Sequence, residues 1–284
     1  MTLFYRKRRN FMPSTYAHYR LGKEVSEKLS GTPAKLVSEY PDLFYIGLHG
    51  PDILFYYGAL GKNSVNAVGH SLHKKSGAYF FESAREVILK SGNPDASRAY
   101  AYGVLCHFAL DVKCHPSVGE KIRTSGITHT EIEVEFDRKL MLVDGLDPVT
   151  HVLTDHIKPT DESCEIIAPF YSGVTPKQIK KALRSMIFLN RLLLAKTTAK
   201  RKLIYAVLRI TGNYKQMHGF VVNPDGNPEC ADSNDSLYAL YNEAEKLAEK
   251  FISDFEDYLN GKACYGSIFD YNFDGKLTEE KKAE

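Results

Sequence analysis

Five residues that can bind metal through nitrogen or oxygen fall within 27 positions: His107, Asp111, His115, His129 and Glu133. The gaps between them are four, four, fourteen and four residues. On a helix four residues is about one turn, so His107 and Asp111 share a face, and His129 and Glu133 share one on a second helix. Two helices facing each other with such pairs can close nitrogen–oxygen shells around metal ions. Imidazole and carboxylate suit zinc and similar first-row metals, and leave the ion a better Lewis acid than thiolates would. Such ions bring bound water towards a neutral pKa, and two or three together clamp the oxygens of a phosphate diester. A lone His-x3-acid pair is more often an ordinary surface neighbour on a helix. The ordered set of five points to metal.

Caps and breakers outline the elements that must position these residues. Asn93-Pro94 starts a helix running to about Cys114, with Tyr100, Val104, Phe108 and Val112 on one side. Pro116 disfavours helical geometry at His115, which is expected at the helix end or just beyond. Residues 117–127 then read as a loop and 129–143 as the next helix. Upstream, Ser14 is a candidate N-cap for a helix to about Ser30, with His18 in its first turns and Gly31 ending it. Thr32-Pro33 opens a short helix that Pro41 closes. Residues 42–62, DLFYIGLHGPDILFYYGALGK, read as a buried helix, a Gly50-Pro51 turn carrying Asp52, and a second apolar segment. Residues 62–69 read as a loop, after which His70 and His73 lead into a helix to about Lys90.

Thr175-Pro176-Lys177-Gln178 matches a capping box opening a long helix or helix pair to about Ile210. Residues 211–232 are loop-like. Leu237, Tyr241, Ala244, Ala248, Phe251 and Phe255 then mark the core-facing stripe of an amphipathic helix. Alternating strand patterns are almost absent, so the expected class is all-α. One multi-helix domain over 14–265 is expected, with 1–13 as an N-terminal extension and 266–284 as a polar C-terminal tail.

Composition narrows the function classes. Of 284 residues 43% are hydrophobic and 25% charged, enough for a full core, and the net charge of +2 implies no whole-molecule attraction to nucleic acid. Cysteines at 106, 114, 164, 230 and 264 form no CxxC pair, so neither a Cys-rich structural zinc nor a disulfide framework is suggested. No apolar run of signal-peptide or membrane-span length is present, so a reduced cytoplasmic protein is expected, either free or peripheral to a membrane.

The order His107-x3-Asp111-x3-His115-Pro, then His129-x3-Glu133, resembles the zinc-dependent phospholipase C family. Phosphatidylcholine-cleaving enzymes, α-toxin-like lipases and single-strand nucleases share that superfamily. The resemblance implies an all-α fold with a di- or trinuclear zinc cleft. It implies that His107 and Asp111 hold a first zinc with Asp52 and one further histidine, His73 in preference to His70. His115, His129 and Glu133 would hold a second. His18, in TYAHYRLG, resembles the early histidine of a third site shared with Asp111. That third site leans on an N-terminal Trp in the secreted enzymes, and this chain has no Trp. Two zinc ions are therefore the expectation.

The function implied is zinc-dependent phosphodiester hydrolysis, with Asp52 orienting or deprotonating the attacking water. Phospholipid, free or at a membrane surface, is the first substrate class; nucleic acid or nucleotide is the alternative. A protein in which metal only staples the fold for membrane or partner binding is the reading from another class. Asp52 could equally be an N-cap after the Gly-Pro turn. Between Glu165 and Asp225 there is no acid against eleven Lys and Arg, which marks either a face for anionic groups or a solvated helix surface. Asp270, Asn272, Asp274 and Gly275 begin like a calcium loop, but position twelve is Lys281, so a turn is expected.

Overall fold

The computed structural model describes residues 15–59, 61–262 and 266–278. The expected extension 1–13, the Ser14 cap and Cys264 lie outside them. Among the described residues the architecture is helical, and the only strand-like features are two isolated bridges, Ser76–Asn272 and Tyr271–Leu277. The first helices are α1 (Tyr16–Lys28), α2 (Gly31–Glu39) and α3 (Pro41–Gly47), followed by a 3₁₀ segment, Gly50–Tyr56. Next come α4 (Ser64–Leu72), α5 (Gly77–Lys90), α6 (Pro94–Ser125), α7 (His129–Val143) and α8 (Asp161–Ile167). α9 (Pro176–Leu193), α10 (Thr198–Ile210), the single turn α11 (Tyr214–Met217) and α12 (Ala231–Leu259) complete the set. No helix among the described residues is long and apolar enough to cross a membrane.

α6 is the axis, 32 residues and about 48 Å long at the usual rise per residue. It is buried almost continuously from Ala96 to Val112, with α12, α3, α1, α5 and α2 packed around it. The tightest approach is to α3. A Cβ built on Gly103 would lie 2.2 Å from the Phe44 carbonyl oxygen, and one on Gly47 would lie 2.3 Å from that of Tyr100. The two backbones therefore touch where only glycine fits.

Three expectations are corrected. α6 does not stop near Cys114 but runs through Pro116 to Ser125, where Gly126 at φ 74° takes the left-handed cap. His115 is thus an interior helical residue, and most of 117–127 is helix. The proline removes one backbone donor, yet the helix continues through it for nine more residues, to Ser125. Second, 62–69 is largely α4, because Asn63 and Asn66 form a reciprocal capping box without the expected Glu or Gln. Third, the stretch read as a polar tail is built into the core: Phe269 and Phe273 are fully buried against α5 and α6 residues. Those aromatic side chains win over the polar residues around them. Within it, Gly275 N–H donates to Asn272 O, so the Asp270–Gly275 stretch closes as a turn. The Thr175–Gln178 box opens α9 as expected, and 176–210 is a helix pair.

Candidate metal centre

Two groups of potential ligands lie side by side. Asp52, His73, His107 and Asp111 bring one donor atom each to within 4.8 Å of one another, and His115, His129 and Glu133 do the same. Three elements supply the first group. The 3₁₀ segment begins at Gly50, φ 45°, where a Cβ would press to 2.5 Å from the His107 ring. The glycine lets Asp52 reach the ring of α6 and buries its carboxylate to 2% exposure. His73, at the C-terminal cap of α4, sets Nε2 2.7 Å from Asp52 Oδ1. His107 Nε2 stands 3.4 Å from Asp52 Oδ2 and 3.1 Å from Asp111 Oδ2. The capping role open to Asp52 is not the one it takes; the N-cap position is His49, and no side chain caps the segment.

In the second group His129 Nε2 lies 2.8 Å, and His115 Nε2 3.4 Å, from the same Glu133 Oε1. Asp111 stands between the groups. Its Oδ1 is 3.8 Å from His115 Nε2 and 3.4 Å from His18 Nε2, and the His18 ring stacks on His107 at 4.4 Å. His18 is thus brought to the site through Asp111. His70 is not in either group; its ring packs on Phe55 instead. His73, the preferred candidate of the two, is the one beside Asp52.

Three histidines share one orienting device. His73 Nδ1 donates to Gly69 O, His107 Nδ1 to Leu48 O, and His115 Nδ1 to Phe273 O, at 2.8, 3.2 and 2.6 Å. A carbonyl oxygen can only accept, so Nδ1 carries the proton and a neutral ring turns its Nε2 lone pair inward. Lone pairs aimed at carboxylates repel unless a cation sits between them. A proton can take that position. Burial opposes a charged His73, but the Asp52 carboxylate carries its pKa up to about 8. Burial is likewise overcome at His115 by Asp111 and Glu133, and at His107 by Asp111 and Asp52, both raised. Burial would raise the two acids, yet His107 and His115 hold Asp111 well below its ordinary range, and His129 with His115 brings Glu133 down to about 2.

The residues fit a metal. Asp52 Oδ2, His107 Nε2, Asp111 Oδ2 and Glu133 Oε2 are buried without a hydrogen-bond partner among the described residues. Unpaired buried polar atoms of this kind are costly and rare. Here they converge on two points with nitrogen and oxygen donors, which is what zinc selects.

Supporting residues are less visible in the sequence. Asp137 accepts from the backbone N–H of Thr15, Tyr16 and Ala17, which anchors the start of α1 and with it His18. A signal exists, since His129, Glu133 and Asp137 continue one four-residue ladder. His49 and His156 pair through Nε2 atoms at 2.7 Å. The carbonyl acceptors of Gly69, Leu48 and Phe273 carry no sequence signal at all.

Compared with known proteins, residues 17–180 match the family model described as zinc dependent phospholipase C, and all eight candidate ligands lie inside that span. No curated protein and no solved structure matches the chain. The match covers more than half of the sequence and the groups it encloses are those of a metal cleft: the chain belongs to the zinc-dependent phospholipase C family.

Proposed function

We propose that the protein hydrolyses phosphodiesters at a zinc centre held by Asp52, His73, His107 and Asp111 on one side and His115, His129 and Glu133 on the other. The observation that carries this reading is the convergence of unpartnered buried carboxylate oxygens with Nε2 atoms whose rings are locked by backbone carbonyls. Such locking fixes tautomer and orientation before substrate arrives, as outer-shell partners do at metal sites. Bound zinc supplies Lewis acidity, which favours water as a nucleophile near neutral pH and draws charge from the phosphate oxygens.

The chain's own residues supply the remaining steps. Asp52 takes the proton of the attacking water at Oδ2, the oxygen not engaged by His73. The water oxygen bonds to phosphorus, the ester P–O bond breaks, and the released alkoxide takes a proton from solvent. Asp111, touching both groups, keeps them at one spacing. His129, less buried than the ligands around it, gives the site its open side. Phospholipid is the substrate class we favour, on the strength of the family.

The test is hydrolysis of a chromogenic phosphodiester by purified protein, before chelation, after it, and after zinc is returned. Turnover lost on chelation and restored by zinc supports the reading. Zinc-loaded protein with no turnover on diesters of lipid, nucleotide or chromogenic type would leave metal as a structural staple and overturn it.

A further inference from the structure

We propose that α9 and α10 form a docking surface for bilayers that contain anionic lipid. Along α9 the exposed positions Lys177, Lys181, Arg184, Phe188 and Leu192 recur at three- or four-residue steps and so share one face. Along α10, Leu203, Val207 and Ile210 do the same. Ile210 is 85% exposed, Leu203 65% and Phe188 63%. A helix in a globular domain ordinarily turns such a stripe to the core. α10 instead buries Leu208 and leaves three large aliphatic side chains in water. Contiguous apolar exposure of that kind marks an interaction site.

The surrounding charge has one sign. From 166 to 224 there are eleven Lys and Arg and no Asp or Glu. Two of these cations are answered from elsewhere, Lys180 by Asp161 at 2.7 Å and Arg191 by Asp155 at 3.1 Å. Lys177, Arg184 and Lys202 have no carboxylate within ion-pair distance among the described residues. Lys177, Lys180, Lys181 and Arg184 line a surface groove that ends on Phe188.

Exposed aliphatic and aromatic side chains set among cations are the chemistry of an interfacial helix. The apolar groups enter the acyl boundary while Lys and Arg meet lipid phosphates. Charge complementarity selects this occupant over the others. A second copy of the chain would bring the same positive face against itself. Nucleic acid would use the cations but gain nothing from Leu203, Val207 and Ile210. α9 packs against the 3₁₀ segment that carries Asp52, and Lys181 lies 4.9 Å over the Tyr57 ring at the end of that segment. Docking through α9 would therefore hold the cleft close to a lipid surface. α10 lies wholly beyond the residues matched by the family. Binding is read without turnover, so this inference stands apart from the catalytic one.

The experiment is co-sedimentation of the full chain with vesicles of phosphatidylcholine alone and of phosphatidylcholine mixed with phosphatidylserine. Partition into the mixed vesicles should be at least about tenfold stronger. It should weaken as salt rises from about 0.1 M to about 1 M, which shortens the screening length from about 10 Å to about 3 Å. The double variant Leu203→Asp/Ile210→Asp should lose about tenfold or more in partition while its Tm is unchanged. Lys177→Glu/Arg184→Glu is the second variant, and should abolish the preference for phosphatidylserine while leaving the apolar stripe intact. Equal partition of wild type and both variants, or no binding to either vesicle, overturns the proposal. So does retention on a single-stranded oligonucleotide, or a dimer in sedimentation that Leu203→Asp/Ile210→Asp disperses, where vesicles are not bound.

Discussion

Asp52 and His107 come from distant parts of the chain, yet His107 Nε2 stands 3.4 Å from Asp52 Oδ2 and neither atom has a hydrogen-bond partner among the described residues. The space between them belongs to a cation or to a reacting proton. Asp52→Asn keeps the side chain's shape and removes its charge and basicity. It should lower kcat/KM on a chromogenic phosphodiester by about 10²- to 10³-fold, the scale of a lost general base with its electrostatic role. Zinc bound by His115, His129 and Glu133 should survive the change. Rates and zinc content together check this; wild-type turnover by the variant counts against the role given to Asp52.

Zinc uptake by metal-free protein should release protons. With His73 raised to about 8 and His115 raised well above its ordinary value, both rings are mostly protonated at pH 7 without metal. A metal must displace those protons from Nε2. At least about two protons per chain are expected near neutral pH, and fewer as pH rises through and above 8, where His73 gives up its own. Calorimetric titration in buffers of different ionisation enthalpy measures the number directly. Release near zero at pH 7 contradicts the arrangement of Nε2 atoms described above.

The contact between α3 and α6 should tolerate no side chain. Gly103→Ala places a Cβ 2.2 Å from the Phe44 carbonyl oxygen, a backbone atom that cannot swing aside. Destabilisation of about 3 kcal/mol or more is expected, at the upper end for overpacking. The same displacement moves Leu48 O away from His107 Nδ1, so zinc affinity should fall as well. Urea unfolding and a zinc competition assay read the two effects; a neutral substitution would mean the helices do not touch there.

The His49–His156 pair should make the fold sensitive to acid. Burial lowers His156 to about 4 and, with His156 beside it, holds His49 well below its usual range. Both pKa values are depressed on folding, so between about 6.5 and about 4 the unfolded chain binds more protons. The neutral pair's contribution is complete above pH 6.5 and drains as pH falls towards 4. From pH 7 to pH 5 the His156 contribution alone is about 1 kcal/mol once its partial exposure is allowed for. A His49→Phe/His156→Phe variant should show a correspondingly shallower loss across that window. Parallel curves for the two proteins would refute it.

The metal cleft is legible in the sequence because its ligands sit on helices with four-residue spacing, which fixes a shared face before any tertiary contact forms. His107, Asp111, His129 and Glu133 need nothing more. His115 is harder to place because Pro116 is a strong local signal against helix, which α6 runs straight through. α4 escapes a sequence reading because asparagine at both capping positions is a weaker cue than the usual acid or amide partner. The role of Phe273 is beyond reach. It acts through a backbone carbonyl, and its own burial depends on a long-range contact with Phe108 that no local pattern announces.

Zinc-edge anomalous diffraction from crystals of the zinc-loaded protein tests the central claim most directly. The account predicts one anomalous peak enclosed by Asp52, His73, His107 and Asp111, and a second enclosed by His115, His129 and Glu133. Zinc-loaded crystals with no peak at either group, or with zinc only on surface residues elsewhere, would contradict it.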